Sequence, residues 1–246
     1  MPQTSEAPVG LVTGAATGIG AAVATRLAAQ GVRVAICDVN EAAGTALAEQ
    51  LQGLFIGCDV SSFDSVERAV ARCTDELGVP AYAHLNAGIM TVPTGAPYVA
   101  LEDLTESQYR GIVGVNLDGV FHGLKALLPA MRLAGGGITL TASTAGLSAV
   151  PVDPMYTATK YAVIGLGRAV ATANENSGVR INVICPGVTD TQIVPDDFRK
   201  PEYGLMPADL MAQEIVDLLM QGRNGEVRVK NAADKPAFEV LPPELR

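Results

Sequence analysis

Short apolar runs alternate with longer segments of helical periodicity along almost the whole chain. Residues 9–13, 33–38, 54–59, 81–86, 138–142 and 180–185 read as strands, with 225–229 as a last one. They are apolar nearly throughout rather than at every second position, the pattern of strands buried on both faces. Helical patterns fill the intervals: 19–30 up to the stop at Gly31, 41–52, 62–77, 156–176, and 207–220 with Pro207 in the first turn. Another opens at the capping box Thr105-x-x-Gln108 and runs to Leu133. Such alternation implies right-handed crossovers and a doubly wound α/β domain, a parallel sheet of about seven strands with helices on both faces. Two irregular stretches interrupt it, 88–104 and 187–206. Segments of that length serve as binding loops, and 187–206 is read as a substrate lid.

Composition narrows the function. The 246 residues are 48% hydrophobic and 17% charged, which suits one globular domain over 1–246. A net charge of −9 argues against nucleic acid, whose phosphates need Lys and Arg, and against an anionic membrane surface. No apolar run reaches the length of about 18 residues that a membrane-crossing helix needs. The opening MPQTSEAPVG lacks the regions of a secretory signal. Cys37, Cys58, Cys73 and Cys185 are scattered, as reduced thiols of a cytoplasmic protein are. With His84 and His122 alone, a histidine-based zinc site is not expected.

The stretch VTGAATGIG lies where the first strand meets the first helix, with Gly14, Gly18 and Gly20 spaced G-x-x-x-G-x-G. Glycine lets the chain turn with positive φ and approach a ligand closely. The free N–H groups and partial positive charge of the following helix suit a pyrophosphate. By itself the run equally describes a tight turn. Asp38 adds to it by closing the second strand, 18 residues past Gly20. A carboxylate there accepts hydrogen bonds from an adenosine ribose and repels a 2′-phosphate, which favours NAD over NADP; an aspartate capping the turn is the plainer alternative.

Tyr156 and Lys160 stand four apart, on one face of a helix. A tyrosine titrates near pH ~10 and is a poor proton carrier at neutrality. A neighbouring ammonium favours the phenolate, so the pair is expected to exchange a proton with an alcohol oxygen. Ser143, just past the fifth strand, is placed to hydrogen-bond the same oxygen.

In this order, TGAATGIG, Asn86-Ala87-Gly88, Asn116, Ser143, Tyr156-x-x-x-Lys160 and Pro186-Gly187 resemble the classical short-chain dehydrogenase/reductases, over most of the chain. The resemblance implies a Rossmann fold. It implies that Gly14, Thr17, Gly18, Ile19 and Gly20 hold the pyrophosphate and nearby ribose, that Asp38 selects NAD, and that Asp59 and Val60 flank the adenine. Asn86, Ala87 and Gly88 would line the cofactor, as would Pro186 and Gly187, while Val188 and Thr191 touch the nicotinamide amide. Tyr156 would be the general acid/base, Lys160 would contact the nicotinamide ribose and tune Tyr156, Ser143 would steady the substrate oxygen, and Asn116 would hold a water in a relay with Lys160. Leu85 departs from the family's usual Asn-Asn-Ala-Gly, and a longer tail replaces its usual Gly-Gly ending.

The resulting expectation is hydride transfer between NAD and a secondary alcohol or ketone. Apolar residues in the loops (Val92, Pro93, Leu147, Val150, Val152, Met155, Ile193, Val194, Phe198, Tyr203 and Met206) favour a hydrophobic, steroid-like or aryl substrate. Two other classes share the motifs: an epimerase or dehydratase using bound NAD, and a non-catalytic NAD-sensing protein. In look-alike proteins the helices 105–133 and 156–176 form a dimer interface, so a homodimer or homotetramer is expected.

Overall fold

A computed structural model describes residues 7–242; the expectations for 1–6 and 243–246, at the two ends of the predicted domain, lie outside the described residues. The strands are β1 (Val9–Thr13), β2 (Arg33–Asp38), β3 (Leu54–Gly57), β4 (Tyr82–Leu85), β5 (Gly136–Thr141), β6 (Val179–Pro186), β7 (Val227–Lys230) and β8 (Phe238–Glu239). The α-helices are α1 (Gly18–Ala29), α2 (Glu41–Leu51), α3 (Phe63–Leu77), α4 (Glu106–Val113), α5 (Gly119–Ala134), α6 (Pro154–Ala173) and α7 (Ala208–Gln221). Together they form the expected doubly wound Rossmann-type α/β fold, its sheet ordered β3-β2-β1-β4-β5-β6-β7-β8.

The order reverses between β1 and β4. In doubly wound sheets that reversal opens a crevice beyond the carboxyl ends of the strands, where ligands bind. Both sheet faces are covered. One apolar cluster includes Leu85, Leu127, Met131 and Val163, and the other includes Val23, Leu27, Ile215 and Leu219. Leu85 packs so tightly against α5 that a Cβ on Gly123 would lie 2.6 Å from its side chain, so this departure from the family pattern belongs to the core. Asn40 and Ser62 cap α2 and α3, and the Thr105–Gln108 box opens α4.

Two elements differ from expectation. The helix predicted over 105–133 is continuous but passes through a π-helical turn, Gly114–Asp118, between α4 and α5. Among the described residues the sheet has eight strands rather than about seven, because the tail turns back and β8 pairs antiparallel with β7. Arg168 on α6 donates to the Val240 carbonyl at 2.7 Å and fastens that tail to the domain.

Candidate active site

The glycine run lies at the reversal point. Gly14 and Gly18 have φ of +61° and +57°, a backbone that L side chains rarely adopt. A Cβ on Gly14 would lie 2.8 Å from the Ala87 Cα, and one on Gly20 2.2 Å from the Gly14 carbonyl oxygen. The loop therefore sits hard against both the end of β4 and the start of α1. Thr13 stitches the crevice floor: its Oγ1 accepts from the Asn86 N–H at 2.9 Å and the Ala87 N–H at 3.3 Å. The Asn86 amide donates to the carbonyls of Thr13 and Gly14. Thr17 caps α1 without spending its hydroxyl on the helix. The Asp38 carboxylate spans two loops, accepting from Ala16 N–H and Asn40 N–H, each at 2.9 Å.

Opposite this floor, α6 begins at Asp153, whose carboxylate accepts the Tyr156 N–H at 2.9 Å. Helical spacing then stacks Lys160 beneath Tyr156, its Nζ 5.4 Å from the ring centroid. Lys160 is buried and donates to the Thr141 carbonyl at 2.9 Å, which ties α6 to the end of β5. Ser143 follows in extended backbone, and its Oγ accepts from Ala145 N–H.

The charges correct one expectation. Burial pushes the Tyr156 phenol up to about 12; the nearby Ser143 hydroxyl pulls it back and the Asp153 carboxylate raises it further. The same burial lowers Lys160 to about 8. Desolvation penalises phenolate and ammonium alike, and it sets the direction of both shifts.

A cavity of about 460 Å³ gathers these parts, within the range of small-molecule sites. Gly14, Thr17, Gly18, Ile19, Asp38, Asp59, Val60, Asn86, Ala87, Gly88, Ser143, Tyr156, Lys160, Pro186, Gly187, Val188 and Thr191 all line it. Gly20 and Asn116 do not. Gly20 lies behind the loop, where it allows the close packing of α1. Asn116 is fully buried in the π-turn, bonding both main-chain groups of Ile89 and donating to Thr159 Oγ1. Its Oδ1 and the Lys160 Nζ both approach the open face of Gly88, at 3.4 and 3.3 Å from where a Cβ would be.

The lining also includes Ile89, Met90, Val115, Thr141 and Thr144, which motif spacing missed. Their place at or past the ends of β4 and β5 was the available signal, except for Val115, which lies in the π-turn. Of the loop residues expected around the substrate, Val150, Ile193, Val194 and Phe198 line the cavity. Val92 and Val152 line a separate small recess, Leu147 packs on the core and Met206 is fully buried within it. The segment 187–206 is closed at its base by main-chain bonds, Met206 N–H to Val188 O and Asp190 N–H to Met206 O. Thr94 donates to the Gln192 carbonyl and joins the two loops above the cavity.

The family model described as short chain dehydrogenase matches residues 8–202. A 3beta-hydroxysteroid dehydrogenase of Mediterraneibacter gnavus is 36% identical, over 90% of this chain and 82% of its own length. A trans-4-hydroxycyclohexanecarboxylate dehydrogenase of Sinomonas cyclohexanicum is 34% identical, over 86% of this chain and 84% of its own length. Among solved structures, a 3-ketoacyl-(acyl-carrier-protein) reductase from Brucella melitensis complexed with NADH superposes with a TM-score of 0.85 at 26% identity, covering 93% of this chain and 98% of that one.

Proposed function

The chain belongs to the short-chain dehydrogenase family, oxidoreductases of alcohols and ketones, and from that premise we propose that it transfers a hydride between NAD and a neutral alicyclic secondary alcohol or ketone. The observation that carries the reading is the convergence of Ser143, Tyr156 and Lys160 on one cavity with the glycine cradle and Asp38.

Side-chain atoms at Gly14 or Gly20 would collide with the loop's own neighbours, so the turn that leads into α1 requires glycine there. In this reading Gly14, Thr17, Gly18 and Ile19 hold the pyrophosphate at the start of α1. Asp38 holds the adenosine ribose, with Asp59 and Val60 beside the adenine. Asn86–Gly88, Pro186, Gly187, Val188 and Thr191 enclose the other end. Lys160 is the one Lys or Arg lining the cavity among the described residues, so nothing near Asp38 would neutralise a 2′-phosphate. That supports NAD over NADP.

Bound NAD supplies the hydride acceptor and, when oxidised, a positive ring charge that favours the phenolate. Ser143 donates to the substrate oxygen and orients the carbon bearing it. Tyr156 is the proton carrier. As a phenol with a pKa of about 12, it is in the protonated form that ketone reduction needs. In alcohol oxidation it first releases its own proton to solvent and then, as phenolate, takes the hydroxyl proton; the Lys160 ammonium beneath it steadies the phenolate charge. Asn116 fixes the main chain of Ile89 at the cavity rather than touching substrate.

Beyond the nicotinamide end, the cavity wall is Met90, Val150, Ile193, Val194 and Phe198. It is apolar and without a cation that would pair with a substrate carboxylate. The hydroxysteroid and hydroxycyclohexanecarboxylate relatives act on ring-borne hydroxyls, which supports the alicyclic class. Exposed Phe121 on α5 and Tyr161 on α6 support a homodimer or homotetramer through these helices, to be read by light scattering.

The test is a panel of secondary alcohols, from small aliphatic to steroidal, assayed with NAD and NADP by cofactor absorbance. Ring alcohols with NAD are expected to turn over best. Tyr156→Phe is expected to lose roughly 10²–10⁴-fold in kcat while NADH binds as before. An active Phe variant, or a preference for NADP, overturns the reading.

A further inference from the structure

Asp153 has a position that neither motif spacing nor the proton chemistry above explains. It is 3% exposed, a carboxylate in the interior, held by three hydrogen-bond donors. Its Oδ1 accepts the Tyr156 N–H at 2.9 Å and the Thr91 hydroxyl at 2.5 Å, and its Oδ2 accepts the Thr91 N–H at 2.9 Å. A helix cap needs only the first of these bonds. The other two reach across 62 residues of chain to the loop that follows β4.

That loop is pinned twice. Asn116 holds Ile89 by N–H and carbonyl, at 2.8 and 3.0 Å, and Asp153 holds Thr91. Met90 lies between the two pins, and with Ile89 it lines the same cavity as Tyr156. One carboxylate oxygen thus fixes the start of the catalytic helix and, through Thr91, the facing wall. The N-terminal end of α6, with its partial positive charge and free N–H groups, makes a buried carboxylate tenable there.

We propose that Asp153 is a positioning residue, which through Thr91 sets the gap between the Met90 wall and the Tyr156 hydroxyl and so controls how the substrate's reacting carbon is presented. The inference rests on Tyr156 being the acid/base. Displacement of about 1 Å between reacting groups costs up to ~10²-fold in rate, so loosening this clamp acts on turnover without touching the cofactor cradle.

The experiment uses three variants of the full chain. Thr91→Val keeps shape and main-chain bond but loses the hydroxyl bond. Asp153→Asn keeps an oxygen for the Tyr156 N–H but turns an amide N–H toward that of Thr91. Tyr156→Phe is run in parallel. NADH affinity is measured by fluorescence titration, and kcat and KM for a one-ring and a multi-ring alcohol across pH.

Both clamp variants are expected to bind NADH as wild type does. The loss in kcat/KM is expected to be roughly tenfold in Asp153→Asn and smaller in Thr91→Val, and unequal for the two alcohols. The charged groups facing Tyr156 are Asp153 and Lys160. Removing the Asp153 charge is expected to move the Tyr156 limb of the pH profile to lower pH, and Thr91→Val to leave it in place. Wild-type kinetics in both clamp variants, or a parallel fall of NADH affinity and of both substrates, overturns the inference. If Tyr156→Phe is inactive and the clamp variants behave as wild type, only the clamp is wrong. An active Tyr156→Phe defeats the acid/base reading itself.

Discussion

From Gly14 to Gly88 the cavity is bounded largely by main chain: a glycine loop, the first turn of a helix and the ends of β1, β2 and β4. The other wall, Met90, Val150, Ile193, Val194, Pro195 and Phe198, presents side chains from loops fastened at a few points. Main chain that must approach a ligand or its own neighbours tolerates few residue types, and it leaves a signature in spacing. A wall of apolar side chains is met by many sequences, because the same residues pack equally well into a core. On the proposed reading, specificity for cofactor and for substrate is written in two different ways within one cavity.

Gly20→Ala probes the main-chain wall hardest. Its Cβ would fall 2.2 Å from the Gly14 carbonyl oxygen. Overpacking of this kind costs about 1–3 kcal/mol, and the distorted loop is expected to weaken NADH binding by about 100-fold, a change worth ~2.7 kcal/mol. Thermal unfolding and fluorescence titration measure the two effects; a variant that binds NADH normally would dissolve the distinction between the walls.

At the seam between them, Lys160→Met exposes a cost of the site. The folded-state value of about 8 lies below the ordinary 10.5. Below pH 8 folded and unfolded chains both carry the proton, and the fold bears the full burial penalty. As pH rises from 8 to 10.5 the folded protein loses that proton while the unfolded chain keeps it, so wild-type stability climbs. The Met variant is expected to be more stable than wild type by about 1–3 kcal/mol at pH 7, with the gap narrowing through that window in denaturant titrations. Tyr156, raised from 10 to about 12, acts in the opposite sense only above pH 10.

Asp38→Ala is expected to narrow the preference for NAD over NADP by about tenfold, equivalent to ~1.4 kcal/mol, read from kcat/KM with each cofactor. The smallest effect is expected at Phe198→Ala on the side-chain wall. KM for a multi-ring alcohol should rise by only about three- to fivefold, equivalent to ~0.6–1 kcal/mol, with NADH affinity unchanged. If Phe198→Ala instead weakened NADH as much as Gly20→Ala does, the two walls would be energetically one.

The same contrast explains what the sequence made legible. The sheet, the glycine cradle and Asp38 were readable because buried strands, tight loops and strand ends restrict composition. The motif positions from Ser143 to Lys160 were readable for the same reason, tied to the end of β5 and the start of α6. The π-turn at Gly114–Asp118 was not, since nothing in GVNLD breaks helical periodicity; only the packing around Asn116 reveals it. Val92, Val152 and Met206 looked like substrate contacts because an apolar loop residue carries no mark of which way it faces. The direction of the Tyr156 shift needed the degree of burial, which residue spacing does not encode.

The segment 187–206 has a consequence of its own. Its base is latched by main-chain bonds among Val188, Asp190 and Met206, which do not depend on the side chains at its tip. Residues 191–205 form in effect an exchangeable cassette. Descendants of this scaffold can acquire new appetites by rewriting that insert while the machinery underneath is inherited intact.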